Sequence, residues 1–135
     1  MEIREYGTYR EEEILSLYAS VGWTAYTDHP DVLRKGFEHS MLILAAYEGE
    51  QLMGIVRLVG DAYTIVLVQD ILVFPKFQRK GVGTALMRAV LRRYGHVRQI
   101  EVTTDGTPNS LAFYRSVGFR ELSEIGCCGL MFGNE

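Results

Sequence analysis

From residue 70 to residue 84 the chain reads Asp-Ile-Leu-Val-Phe-Pro-Lys-Phe-Gln-Arg-Lys-Gly-Val-Gly-Thr. An apolar strand, Ile65 to Val73, runs into a short loop and then into Gln78-Arg79-Lys80-Gly81-Val82-Gly83, where an amphipathic helix pattern begins. A helix opening there aims unpaired backbone N–H groups, the positive end of its dipole and the cations of Arg79 and Lys80 at one spot. That is the chemistry of a phosphate or pyrophosphate site. Asp70 is the second chemical signal. A carboxylate in so apolar a strand takes a proton, anchors a substrate or ties down a neighbouring loop.

The charge pattern agrees with a phosphate site. From Ile71 to Ile100 there is no Asp or Glu, yet Lys76, Arg79, Lys80, Arg88, Arg92, Arg93 and Arg98 lie there, half of the 14 basic residues in a chain of formal net charge −3. A local positive field on an acidic chain suits a small polyanion better than a nucleic-acid track, which usually needs a basic domain. Arg88, Arg92 and Arg93 are equally explained as the wet face of a helix.

These residues need elements to position them. Ile3 to Tyr6 reads as a first strand. Thr8 and Glu11 form a capping box before a helix with Ile14, Leu15, Tyr18 and Val21 at helical spacing, and Gly22 ends it. Trp23 to Pro30 is turn-rich, and a short helix follows from Asp31 to Phe37 with Pro30 at its start. Met41 to Glu48 and Leu52 to Val59 flank Gly49-Glu50-Gln51 as a hairpin. Gly60-Asp61-Ala62 turns the chain into the long strand that ends at Val73. A helix from Gly83 to Tyr94 carries Leu86, Ala89, Val90 and Tyr94 on one face, beside Val82. Arg98 to Thr104 is a strand, Pro108 to Val117 a helix, and strands at Phe119 to Leu122 and Cys127 to Phe132 close the chain. That order implies an α/β chain with a mixed sheet and helices on both faces.

With 135 residues, 47% hydrophobic and 23% charged, the chain reads as one domain over 1–135 with a real core. No apolar run approaches the roughly 20 residues that cross a bilayer, so no membrane partner is expected. The start is too charged for a signal peptide. The two cysteines, Cys127 and Cys128, are adjacent and read as buried thiols of a reducing compartment, which points to the cytoplasm. His29, His39 and His96 lack metal-site spacing, and no metal is expected.

Better-known phosphate loops do not fit. A Walker loop needs Gly-x-x-x-x-Gly-Lys-Ser/Thr, which is absent. A dinucleotide fingerprint needs a glycine where Leu86 stands, and Glu101, at the distance of a ribose-binding acid, does not rescue it. Gln78-x-x-Gly81-x-Gly83 instead resembles the Gln/Arg-x-x-Gly-x-Gly/Ala signature of the GNAT superfamily of N-acetyltransferases. Phe113-Tyr114-Arg115-Ser116-Val117-Gly118-Phe119 is similar to that family's second landmark, Tyr-x-x-x-Gly-Phe. The order of elements matches that fold along essentially the whole chain.

The resemblance implies a mostly antiparallel sheet with a splayed central strand pair, acetyl-coenzyme A as cofactor, and acetyl transfer to an amine by direct attack. The backbone of Ile71, Leu72 and Val73 would pair with the pantetheine arm. The amides from Gln78 through Arg79, Lys80, Gly81, Val82 and Gly83 to Thr84 would hold the pyrophosphate, with glycine at 81 and 83 to permit close approach or positive φ. An N–H near Leu72 or Val73 would polarise the thioester carbonyl. Tyr114 matches the family's tyrosine, which protonates the departing thiolate. Relatives commonly carry an Asn seven residues earlier; Thr107 stands there, and Asn109, two places late, is the candidate contact.

No base is obvious. Where relatives place one, this chain has Leu67 and Gln69, which leaves Asp70, His29 or a water chain; alternation turns Asp70 away from Gln69 unless a bulge intervenes. Trp23, Tyr26, Asp28 and His29 are candidates for the acceptor pocket: an aromatic wall for an amine, with Asp28 supplying charge. Trp23 fits a core plug equally well. The acceptor is a small-molecule, peptide or protein amine. A catalytically idle coenzyme A-binding sensor or scaffold fits the loop too, whereas RNA binding through the basic helix lacks interleaved aromatics. The Cys127 to Phe132 strand offers a pairing surface for a homodimer.

Overall fold

A computed structural model of the protein describes residues 1–133. In chain order the elements are β1 (Glu2–Glu5), α1 (Glu11–Ser20), α2 (Thr24–Thr27), α3 (Pro30–Glu38), β2 (Leu42–Glu48), β3 (Gln51–Gly60), β4 (Ile65–Val73), a 3-10 turn (Pro75–Phe77), α4 (Val82–Tyr94), β5 (Gln99–Val102), α5 (Pro108–Ser116) and a second 3-10 turn (Leu122–Ile125). They fall into two compact units, Met1–Thr103 and the stretch from Thr104 onward.

The first unit is built on a mixed sheet in the order β1-β2-β3-β4-β5, antiparallel from β1 to β4 and parallel between β4 and β5. Ile14, Leu17 and Tyr18 of α1 and Leu33 and Phe37 of α3 pack on Ile43, Ala45, Ile55 and Leu72. Strand alternation sends Leu44, Ala46, Val56 and Leu58 to the other face, where α4 buries Val82, Leu86, Met87, Ala89 and Val90. Each such large aliphatic side chain contributes about 1.5–3 kcal/mol by leaving water. Met87 belongs to that face and Tyr94 is only half-buried, a shift from the expected stripe.

Two irregularities of β4 set the geometry of its second half. β5 pairs only with Ile65 to Val68, so Gln69 to Val73 have no strand neighbour on that side, and the central pair splays. Against β3 the register jumps from Leu58↔Val68 to Arg57↔Asp70, which leaves Gln69 as the extra residue of a bulge.

Several local expectations change. The Thr8–Glu11 capping box does not form; α1 starts after Arg10 without a side-chain cap. The Tyr6 hydroxyl takes over, accepting from the Arg10 N–H at 3.3 Å and donating to Glu13 Oε2 at 2.8 Å. Gly22, at φ 81°, ends α1 with its N–H on Ala19 O and the Trp23 N–H on Tyr18 O, a paired left-handed stop. The turn-rich stretch behind it holds the single-turn helix α2.

In the second unit the Thr107 Oγ1 caps α5 by accepting from the Ser110 N–H at 3.3 Å. The two expected closing strands are absent among the described residues. Arg115 bridges to Glu121 at 2.6 Å and Glu124 at 2.7 Å, which clamps residues 122–125 as a 3-10 turn, and Gly126 at φ 79° redirects the chain. Among the described residues, 127–133 have no ladder partner and therefore form no strand. Cys127 and Cys128 are free and exposed, not buried, because no helix or sheet packs over them. Among the described residues no helix is long and apolar enough to cross a membrane.

Candidate active site

The loop after β4 is wound by two left-handed residues, Arg79 at φ 62° and Gly81 at φ 81°. No protein atom would meet a Cβ on Gly81 within 4 Å, so its glycine is needed for backbone conformation and not for space. The first helical bond of α4 runs from the Ala85 N–H to Gly81 O at 3.0 Å. The amides of Val82, Gly83 and Thr84 therefore point out of the helix end without intrahelical acceptors. Gln78 differs from its neighbours: its N–H already donates to Pro75 O at 3.2 Å. Its side chain instead ties the loop to the sheet, Nε2 donating to Val73 O at 3.0 Å. Lys76 and Lys80 hold their ammonium groups 5.1 and 6.0 Å from the Phe77 ring centre, which keeps both cations at the loop. Amides, a helix dipole and cations at one helix end are the elements that suit an anion.

The splayed edge of β4 leads to that helix end. The Phe74 N–H donates to Met53 O at 2.9 Å, so by antiparallel alternation the Leu72 amide also faces β3. The amides of Ile71 and Val73 face the open side instead. Of the residues expected to lend backbone to a ligand, Ile71 and Val73 are free to do so, and Leu72 lends its buried side chain to the core.

The bulge decides where Asp70 points. Gln69 and Asp70 both reach residues of α1 and α2: Gln69 Nε2 lies 3.4 Å from the Tyr26 hydroxyl, and the Tyr18 hydroxyl donates to Asp70 Oδ2 at 2.7 Å. Asp70 Oδ2 also accepts from Arg57 Nε at 2.8 Å, with Asp70 2% and Arg57 6% exposed. Arg57 Nη1 reaches Gly36 O at 3.4 Å and Ser40 Oγ at 3.3 Å, which joins α3 to the same network. Burial first, and then the neighbouring Asp70 carboxylate, push the Tyr18 phenol far above its ordinary range. The carboxylate is thus committed to a cation and a phenol.

Above this network sits an aromatic group. Tyr18 meets Trp23 at 6.0 Å and Tyr26 at 5.5 Å, both edge-on, and Trp23 and Tyr26 are 6.4 Å apart. Trp23 remains 38% exposed, so it does not plug the core. Asp28 and His29 follow on the exposed junction between α2 and α3, with no side-chain bond to this group among the described residues.

Tyr114 and Asn109 belong to the second unit. Tyr114 lies edge-on to Phe113 at 5.0 Å and to Phe119 at 5.8 Å. Burial raises its phenol above the ordinary tyrosine value, with Asp105 adding and a Thr104 hydrogen bond opposing. Asn109 is exposed on the first turn of α5. Sequence reasoning missed Arg57 and Tyr18 as partners of Asp70. The signal was present: an arginine at a core-facing position of β3, whose strand is otherwise apolar from Leu52 to Val59.

The chain matches the family model described as "Acetyltransferase (GNAT) domain" over residues 6–128. It is similar to a GNAT-family acetyltransferase from Streptococcus pneumoniae TIGR4, with 36% identity, coverage of 98% of this chain and 97% of that one, and a TM-score of 0.88. It is 25% identical to the "Uncharacterized N-acetyltransferase ycf52-like" of Prochlorococcus marinus over 90% of this chain and 69% of that protein. Against the "Uncharacterized N-acetyltransferase ycf52" of Porphyra purpurea it is again 25% identical, and it spans only 63% of that relative's length. AAC(6')-Iy, solved with a bisubstrate analogue of CoA and acetylneamine, shares the fold at a TM-score of 0.74 and 18% identity, covering 99% of this chain and 97% of that one.

Proposed function

The chain belongs to the GNAT acetyltransferase family, and from that premise we propose that it moves an acetyl group from acetyl-coenzyme A to a primary amine of a small molecule, peptide or protein by direct attack. We read its two units as parts of one acetyltransferase domain, a reading supported by the family model's span across both. The observation that carries the proposal is the anion cradle at the start of α4, entered from a strand whose outer edge is open.

Acetyl-coenzyme A, when bound, supplies an activated acetyl thioester. The amides of Arg79 to Thr84 and the cations of Lys76, Arg79 and Lys80 hold the diphosphate. The Gln78 side chain keeps the loop against β4 and so fixes the cradle's distance from the strand. Ile71 and Val73 offer outward amides along the splay, and the Val73 N–H would serve to polarise the thioester carbonyl. Tyr114 donates its phenolic proton to the departing thiolate, and burial, which raises the phenol above its ordinary value, keeps that proton in place until the thiolate forms. Asn109 is a further contact to the cofactor. Trp23, Tyr26, Asp28 and His29 form the acceptor side. Asp70 anchors that side through Arg57 and Tyr18, and the acceptor amine loses its proton to water. Two free cysteines support a reducing, cytoplasmic location.

The engagement of Asp70 with Arg57 also favours a second reading, a coenzyme A-binding module without catalysis, because the carboxylate at the bulge is already paired with a cation. Release of free thiol from acetyl-coenzyme A, followed with and without a panel of primary amines, separates the two. Amine-dependent release is expected. Coenzyme A binding with no amine-dependent release would leave only the binding module.

A further inference from the structure

The aromatic group over the β4 bulge carries a charge balance that bears on the acceptor. Asp70, the carboxylate beneath it, is matched one-to-one by Arg57 at 2.8 Å, and both are buried. The pair presents no net charge. From Trp23 to Pro30 the only carboxylate is Asp28, and His29 is beside it. A ligand with several ammonium groups needs several uncompensated carboxylates, since each cation left unpaired on desolvation is costly. That stretch offers one, with Asp31 following it on the first turn of α3.

What it offers instead is ring area. Trp23 and Tyr26 are held from behind by edge contacts to the fully buried Tyr18, which fixes their planes before any ligand arrives. Gln69 is the one exposed side chain of β4, and the bulge turns it toward these rings, where its amide nitrogen bonds the Tyr26 hydroxyl. That bond leaves the Gln69 carbonyl oxygen as a neutral acceptor for an amine N–H.

We propose that the acceptor is a monoamine carried on an aromatic or bulky apolar group, with Trp23 and Tyr26 receiving the apolar body and Gln69 receiving the amine, and that polycationic amines are poor acceptors. The proposal rests on the acetyl-transfer reading above and narrows its acceptor class. Trp23 and Gln69 are then the residues that set specificity.

The test compares kcat/KM by thiol release for 2-phenylethylamine, n-butylamine, spermidine and kanamycin, with acetyl-coenzyme A saturating. 2-Phenylethylamine should exceed spermidine and kanamycin by tenfold or more. Trp23→Ala should remove most of that preference while leaving the affinity for coenzyme A, measured by calorimetry, unchanged. A higher kcat/KM for spermidine or kanamycin, or a Trp23→Ala variant that keeps the preference, overturns the acceptor class and leaves acetyl transfer standing. If coenzyme A binds and no amine is acetylated, transfer itself fails. Titration of 2-phenylethylamine into the coenzyme A complex then decides the aromatic site alone: saturable heat that Trp23→Ala abolishes upholds it, and its absence overturns it.

Discussion

Arg57 Nε and Asp70 Oδ2 face each other across the β3–β4 ladder at 2.8 Å, and the two residues are register partners at the bulge. The Tyr18 hydroxyl completes the arrangement on the same carboxylate oxygen, so one buried charge pair ties α1, α3 and the central strands together. Removing one partner leaves the other charge buried and unmatched. Arg57→Met should cost about 3–5 kcal/mol in urea unfolding, and Tyr18→Phe about 1–3 kcal/mol. The double variant Arg57→Met with Asp70→Leu should recover much of the loss, since an apolar pair of similar volume avoids desolvation. A single Arg57→Met variant as stable as the wild type would remove the pair from the fold's support.

The proposed phosphate cradle makes separate demands at its two glycines. Gly81 sits at φ 81°, so Gly81→Val should destabilise by about 1–2 kcal/mol and loosen coenzyme A. Gly83 lies inside α4 and carries no positive φ, so Gly83→Val should abolish coenzyme A binding while the melting temperature stays near wild type. Thermal melts beside calorimetric titrations check both. Wild-type affinity in Gly83→Val would refute the cradle.

Tyr114 should behave as an acid and not as a packing residue. Tyr114→Phe keeps the ring and its edge contacts to Phe113 and Phe119, so stability and coenzyme A affinity should change little. The turnover number should fall by about 100-fold, the lower end of what a positioned acid contributes. Burial raises the phenol, so it stays protonated beyond its ordinary range. The pH profile of the wild type should therefore rise as the acceptor amine deprotonates and show no falling limb below about pH 10. A falling limb in the neutral range, unchanged in Tyr114→Phe, would assign the acid elsewhere.

The turn between β3 and β4 should contribute to acid sensitivity. The Asp61 carboxylate accepts from Thr64 Oγ1 at 2.6 Å and from the N–H groups of Tyr63, Thr64 and Ile65 at 2.9, 2.7 and 3.1 Å. The Thr64 hydroxyl bond first, then these backbone bonds, hold it well below the usual carboxylate range. Its folded value is depressed, so the unfolded chain takes up this proton first. The stabilisation is whole above about pH 5 and is lost as pH falls through and below about 4. The stability gap between wild type and Asp61→Ala should shrink across that window; a gap independent of pH would contradict the assignment.

Much of the fold was legible because β4, α4 and the β2–β3 hairpin announce themselves through unbroken apolar patterning and glycine turns. The Gln78 to Gly83 stretch was legible for a related reason, since its backbone requirement is written in glycine. What the sequence hid was non-local. The bulge at Gln69 depends on register against β3, and no local signal in Val-Gln-Asp-Ile reveals it. Arg57 reads as an oddity until Asp70 is seen opposite. The closing segment misled because Cys127 to Phe132 has strand-like composition, yet a strand exists only where a neighbour accepts its hydrogen bonds.

The α4 end should grip a diphosphate. Calorimetric titration of coenzyme A beside pantetheine, which lacks every phosphate, tests it most directly. Coenzyme A should bind at least 100-fold more tightly, a difference of about 2.7 kcal/mol, with the advantage shrinking as salt is raised. Equal affinities for the two, or an advantage that Gly83→Val leaves intact, would contradict it.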